Sequence, residues 1–268
     1  MKADGKVIVV TGAGNGIGQQ LVVQLIAKGA SVAGIDMSAD ALKKTEELCG
    51  SGQARFSTYL ADISDRSAVE AIPAEIQQRY GAVDGVINNA GIIQPFVRLA
   101  ELDYATIDRI FRVNFFGTLH VTKAFLPHLL KRPEAHIVNI ASMGGFVPVP
   151  GQTIYGASKA AVKLMTEGLA GELMHTGVRV TVAFPGAVAT NILSNSGVSR
   201  QPSSGHGKSR IKPLQPAQAA RLIISGMEKD AYQVMVGGDS RLIDWLYRLN
   251  PAFASRTIAK KMRALISS

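Results

Sequence analysis

At 268 residues, with 47% hydrophobic and 18% charged side chains, the chain has the balance of a packed globular protein, which excludes disordered, collagenous and coiled-coil classes. A lone cysteine, Cys49, excludes an internal disulfide framework and is expected as a structural thiol in a reducing compartment, the cytoplasm. The formal charge of +9 is unevenly placed: residues 1–172 hold 16 basic and 16 acidic side chains, so the whole surplus follows Glu172.

Only Met1–Lys6 precede the first apolar run, so no cleavable leader is expected, and no later run is long enough to span a bilayer. The run at 6–10 predicts a strand, the glycine-rich segment after it a turn, and 17–28 a helix. The order then repeats, with strands near 31–35, 54–59 and 83–87 and helices near 39–49 and 66–80. A long helical stretch is predicted over 104–130, followed by strand 136–141, helix 155–175, strand 178–183, helix 216–229 and strand 232–236. Such alternation implies an α/β fold with a parallel sheet in a single domain covering residues 1–268. Two stretches depart from it. Residues 194–212, rich in Ser, Gly and Pro, predict a mobile loop. Residues 240–268 predict a basic helical tail, in which Leu242, Trp245, Leu246 and Leu249 share one face, Asn250-Pro251 opens a second helix, and Ile258, Met262 and Leu265 continue the spacing.

Thr11-Gly12-Ala13-Gly14-Asn15-Gly16-Ile17-Gly18 sits at a strand-to-helix junction. Glycines there permit a tight turn and bring backbone N–H groups and a helix N-terminus toward a pyrophosphate. Asp36 ends the second predicted strand, where a carboxylate accepts hydrogen bonds from ribose hydroxyls and repels a 2′-phosphate. None of Asn15, Gln19, Met37 and Ser38 is a cation that could receive that phosphate, so NAD is expected over NADP.

Downstream, Tyr155-Gly-Ala-Ser-Lys159 joins Asp62-Ile63, Asn88-Asn89-Ala90-Gly91, Asn114, Ser142, Pro185-Gly186 and Thr190 in order. On these motifs the sequence resembles the short-chain dehydrogenase/reductase family in its single-domain form, over roughly residues 6–236. The resemblance implies a Rossmann-like doubly wound parallel sheet, to which the C-terminal helical tail is an addition. It also implies a catalytic set of Asn114, Ser142, Tyr155 and Lys159, and a homodimer or homotetramer. Cofactor contacts are expected from Gly12, Asn15, Gly16, Ile17, Gly18, Asp36, Asp62, Ile63, Asn89, Ala90, Gly91, Pro185, Gly186, Val188 and Thr190, together with Tyr155 and Lys159; no metal is expected.

The chemistry accounts for these residue types. Oxidising an alcohol removes its hydroxyl proton as hydride leaves carbon, yet a free tyrosine, with a pKa of about 10, is a poor base near neutrality. Lys159, four residues beyond Tyr155, shares its helical face, where an ammonium favours the phenolate. By resemblance, Ser142 holds the substrate oxygen, Lys159 also bonds the nicotinamide ribose, and Asn114 anchors a water that relays protons to Lys159.

The segments expected around the nicotinamide, 92–97, 143–153 and 187–193, are largely apolar, which predicts a hydrophobic small-molecule substrate. Arg200, Lys208, Arg210 and Lys212 in the loop open an anionic alternative, such as a carboxylate or coenzyme A phosphate. For the tail, packing on the protein's own core or on a neighbouring subunit is expected over an anionic membrane. Nucleic acid is not an expected partner, since neither a DNA-binding motif nor interleaved aromatic platforms accompany the basic residues. The leading reading is therefore an NAD-dependent oxidoreductase of a hydrophobic secondary alcohol or ketone. The alternatives are a 3-oxoacyl thioester ketoreductase and, from another class, an NAD-sensing regulator with a membrane- or partner-binding tail.

Overall fold

Seven short runs, all but the third rich in Val, Ile and Ala, supply the strands of one parallel sheet in the computed structural model, which describes residues 1–190, 192–198 and 213–262. In chain order they are β1 (Val7–Thr11), β2 (Ser31–Asp36), β3 (Phe56–Leu60), β4 (Gly85–Asn88), β5 (Ala135–Ile140), β6 (Val178–Pro185) and β7 (Gln233–Val236). Across the sheet the order is β3-β2-β1-β4-β5-β6-β7. The strand order reverses between β1 and β4, and in such sheets the crevice beyond the carboxyl ends at that reversal is where ligands bind.

The connections are α1 (Gly16–Ala27), α2 (Ala39–Leu48), α3 (Arg66–Tyr80), α4 (Tyr104–Phe111), α5 (Thr118–Leu129), α6 (Thr153–Glu172), α7 (Ile192–Asn195) and α8 (Pro216–Glu228), followed by α9 (Gly238–Leu249) and α10 (Pro251–Met262). Their ends follow local chemistry. The Ser38 hydroxyl accepts from the Ala41 N–H at the start of α2, and Asp65 and Asp103 cap α3 and α4 in the same way. Gly81, in the left-handed region at φ 76°, stops α3. Such a cap contributes about 1 kcal/mol.

Period-two alternation splits the central strands between two cores. Ile8 and Val10 face Leu21 and Leu25 of α1 and Ile223 of α8. Val7 and Val9 face Val69 and Ile76 of α3 and Phe125 of α5. All five residues of β1 are buried, as a parallel strand covered on both faces requires. Each large side chain buried here stabilises by about 1.5–3 kcal/mol.

The predicted alternation, the doubly wound sheet and the C-terminal helices are all present. Three local differences stand out. Residues 50–55 form a 3-10 turn, so β3 begins at Phe56. The stretch predicted as one helix over 104–130 is interrupted by a π-helical segment, Arg112–Gly117, with Asn114 inside it. In the tail, Asn250 does cap α10, accepting from the Phe253 N–H at 3.0 Å, but among the described side chains of the predicted apolar face Trp245, Leu246 and Leu249 are exposed rather than packed on the chain's own core. Arg200, Lys208, Arg210, Lys212 and Leu265 lie outside the described residues, as do the side chains of Leu242 and Met262. No helix among the described residues is long and apolar enough to cross a membrane.

Candidate active site

The glycine turn after β1 is built by close approach. Gly12 and Gly16 sit in the left-handed region at φ 64° and 55°. A side chain at Gly18 would place its Cβ 1.9 Å from the Gly12 carbonyl oxygen, so only glycine lets α1 lie this near the turn. Thr11 ties the turn to the neighbouring strand. Its hydroxyl accepts from the N–H groups of Asn89 and Ala90, both at 3.0 Å, while the Asn89 amide donates to the Thr11 carbonyl at 3.0 Å. The Asp36 carboxylate is held at the end of β2 by two backbone donors, Gly14 N–H at 2.9 Å and Ser38 N–H at 3.0 Å.

These groups line a cleft of about 1280 Å³, larger than the roughly 300–1,000 Å³ of a site for one drug-sized ligand. Its walls include Gly12, Asn15, Gly16, Ile17 and Asp36 from the first half of the sheet, Asp62 and Ile63 after β3, and Asn89, Ala90 and Gly91 after β4. Pro185 ends β6, Gly186, Val188 and Thr190 follow it, and Ser142, Tyr155 and Lys159 complete the wall. The Thr190 methyl lies 3.2 Å from where a Cβ on Gly16 would stand, so this segment folds over the glycine turn. Gly18 and Asn114 do not line the cleft; one lies beneath the turn and the other behind Gly91.

Ser142 leaves β5 in extended conformation, and its hydroxyl accepts from the Gly144 N–H at 3.1 Å. It also acts on the phenol of Tyr155, in the first turn of α6. Burial pushes the Tyr155 phenol above its usual range, against a smaller lowering by Ser142. Lys159 is buried one turn later. Its ammonium donates to the Ile140 carbonyl at 2.9 Å, and burial lowers its pKa to about 8. Ser142 is the group that lowers the phenol, and desolvation outweighs it, while Lys159 turns its ammonium to the Ile140 carbonyl.

Asn114 is fully buried, with its carboxamide mimicking a strand partner. Oδ1 accepts from the Ile92 N–H at 2.8 Å, and Nδ2 donates to the Ile92 carbonyl and to the Ser158 hydroxyl, both at 3.0 Å. Asn114 Oδ1 and Lys159 Nζ each lie 3.1 Å from where a Cβ on Gly91 would stand, so the two groups flank that glycine. Ile92, Ile93, Phe96, Met143, Val149 and Ile192 give the rest of the cleft an apolar lining, and Arg109 and Arg112 of the α4 region add cationic groups.

The family model described as short chain dehydrogenase matches residues 6–200. The chain belongs to the short-chain dehydrogenase family. It is 36% identical over 262 residues to a putative oxidoreductase, SadH, of Mycobacterium tuberculosis, with 96% of this chain and 95% of that protein covered. It is 32% identical to the 3-oxoacyl-[acyl-carrier-protein] reductase FabG of Thermotoga maritima, over 91% of this chain and all of that protein. A short-chain dehydrogenase/reductase from Burkholderia phymatum, solved in complex with NAD, superposes with a TM-score of 0.82 at 26% identity, covering 93% of this chain and 96% of the other.

Two glutamines that sequence reasoning missed position the tyrosine of this short-chain dehydrogenase. Gln94, 1% exposed, accepts the Tyr155 N–H on Oε1 at 2.8 Å and donates to the Gly151 carbonyl at 3.1 Å. Gln152 reaches back to donate to the Gln94 carbonyl at 3.0 Å. An orphan donor of the first turn of α6 is thus satisfied from the loop after β4. Asn88, the first residue of the Asn88-Asn89-Ala90-Gly91 motif, does not line the cleft. Its amide donates to Thr122 at 3.0 Å and Asn139 at 2.8 Å, inside the layer between sheet and helices.

Proposed function

We propose that this short-chain dehydrogenase interconverts a hydrophobic secondary alcohol and its ketone with NAD(H), using Tyr155 as the group that takes or gives the hydroxyl proton. The observation that carries the reading is that Ser142, Tyr155 and Lys159 share one cleft wall with a glycine turn and a carboxylate, Asp36, already fixed by two backbone N–H groups.

The cleft fits a dinucleotide. Gly12 and Gly16 leave the turn bare, so a pyrophosphate can approach the backbone and the N-terminus of α1. Asp36 can accept from ribose hydroxyls and opposes a 2′-phosphate; its neighbours on the wall, Met37 and Ser38, bring no positive charge. Asp62 and Ile63 would bound the adenine, Asn89 to Gly91 the ribose, and Pro185, Gly186, Val188 and Thr190 the nicotinamide. Bound NAD supplies the hydride acceptor, and NADH the donor.

The chain's own residues handle the proton and the oxygen. Ser142 holds the substrate oxygen beside Tyr155, and its hydroxyl favours the phenolate against the raised pKa that burial imposes. Lys159, with a pKa near 8, can exchange a proton in the neutral range, and Asn114 fixes the Ile92 loop around it. The apolar lining selects for hydrophobic substrates and excludes water. A second reading, reduction of 3-oxoacyl thioesters, is favoured by Arg109 and Arg112 on the cleft and by the similarity to FabG.

The test is NAD-coupled turnover on paired neutral secondary alcohols and 3-hydroxyacyl coenzyme A thioesters, at low and high salt, with Tyr155→Phe beside the wild type. Turnover is expected to fall by roughly 10²–10⁴ in Tyr155→Phe with NAD affinity retained. Unchanged turnover in that variant would remove Tyr155 from the mechanism. A salt-sensitive preference for thioesters would install the second reading.

A further inference from the structure

An apolar face on the two terminal helices is left bare by the fold. Trp245, Leu246 and Leu249 of α9 and Phe253 at the start of α10 are 59, 37, 65 and 61% exposed respectively. On α10, by contrast, Ala254 is buried. Single exposed apolar residues need no explanation, but large ones gathered on two adjoining helices mark a contact surface.

Among the described side chains, three exposed cations share these helices: Arg248, Arg256 and Lys260. Arg248 is paired with Asp244 at 2.9 Å, while Arg256 and Lys260 have no ion pair among the described residues. They belong to the part of the chain that holds the whole positive surplus. The unit also has a defined position. It leaves directly from β7, whose last residue, Val236, accepts from the N–H of Gly186 on the cleft wall at 3.1 Å. The helices therefore start at the carboxyl edge of the sheet, where the cleft opens.

We propose that α9 and α10 form a docking face for an anionic lipid bilayer, with Trp245, Leu249 and Phe253 entering the boundary between headgroups and acyl chains and Arg248, Arg256 and Lys260 meeting lipid phosphates. An amphipathic basic helix with Trp and Phe on its apolar side has the composition of an interfacial segment. A second copy of the chain fits the same face poorly, because Arg256 and Lys260, without an ion pair among the described residues, give it a surplus of like charge that the same face on a partner would repel. An anionic surface turns that repulsion into attraction. Docking of this kind would bring the cleft edge toward a lipid phase that stores hydrophobic alcohols and ketones. The proposal stands independently of which substrate the cleft takes.

Trp245 is the only tryptophan in the chain, so its emission reports on this face alone. The full-length protein is titrated with phosphatidylcholine vesicles and with mixed phosphatidylcholine–phosphatidylglycerol vesicles, at low and high salt, with sedimentation in parallel. The expected result is a blue shift of Trp245 emission and co-sedimentation with the mixed vesicles only, weakened by salt. Arg256→Gln with Lys260→Gln should weaken partitioning by roughly tenfold or more. Leu249→Glu with Phe253→Glu should abolish it; all four positions are exposed, and unchanged NAD binding verifies the fold. No blue shift and no sedimentation of the wild type, or binding unaffected by either pair of substitutions, overturns the proposal. A concentration-dependent dimer that Leu249→Glu with Phe253→Glu dissolves, in the absence of vesicle binding, assigns the face to a second copy and overturns it equally.

Discussion

Lys159 is 4% exposed and spends its ammonium on a single carbonyl, that of Ile140. Burial brings its pKa down from 10.5 to about 8. Between those values the unfolded chain binds more protons than the folded one. Stability therefore rises as pH increases from about 8 to 10.5, and the full cost of the buried charge is present at pH 7. That cost is on the order of 3 kcal/mol, against about 1–3 kcal/mol for leaving the Ile140 carbonyl unpaired if the ammonium is removed. Lys159→Met is accordingly expected to lose turnover while remaining as stable as the wild type at pH 7, or more stable by about 1 kcal/mol. Any advantage should shrink toward pH 10. Urea unfolding at both pH values measures this, and a variant clearly weaker at pH 7 would show that the ammonium is fully compensated. Asp36 and the Tyr155–Lys159 pair are legible in the sequence because their signals are local: a strand end, a helical spacing. What Lys159 touches is not legible, since a spacing of four residues states a shared face and leaves open whether the ammonium turns to the phenol or to the β5 carbonyl.

At the scale of elements, the site depends on how α6 begins. Its N-cap residue, Gln152, makes no side-chain cap bond to the helix, and the Tyr155 N–H is satisfied by Gln94 instead. Gln94→Leu removes that acceptor in a buried place. We expect a stability loss of about 1–3 kcal/mol and, because the tyrosine loses its fixed position, a fall in kcat of roughly tenfold with KM little changed. Gln94→Glu keeps an acceptor for the same N–H and should recover most of the kcat. Steady-state kinetics of both variants decide the matter; an unchanged kcat in Gln94→Leu would reduce the glutamine to packing. Sequence reasoning could not find this link, because Gln94 and Tyr155 are 61 residues apart and neither glutamine lies in a recognised motif. The π-helical segment around Asn114 was hidden for another reason. Its residues keep ordinary helical composition, and the local widening reflects tertiary demand, the two hydrogen bonds of Asn114 to Ile92.

For the whole molecule, the alternation of apolar runs with amphipathic helices made the doubly wound sheet legible, since buried parallel strands admit few other arrangements. The tail was legible as a stripe but not as a surface, because periodicity says which residues share a face and is silent on what covers it. One bond described above sets the order in which the molecule can assemble. Thr11 closes the cleft by accepting from Asn89, 78 residues later, so the glycine turn and the β4 loop are two halves of a clamp that meets only once β4 has added to β1. A fragment ending after α3 holds the glycine turn and Asp36 complete, yet is expected to show no NAD binding by calorimetry; measurable affinity in it would show that the turn folds without its partner. In refolding, closing so long a loop is slow relative to forming local helices. Cofactor competence should therefore emerge with the last sheet pairing, which makes nucleotide binding a kinetic reporter of when the two halves of the chain have found each other.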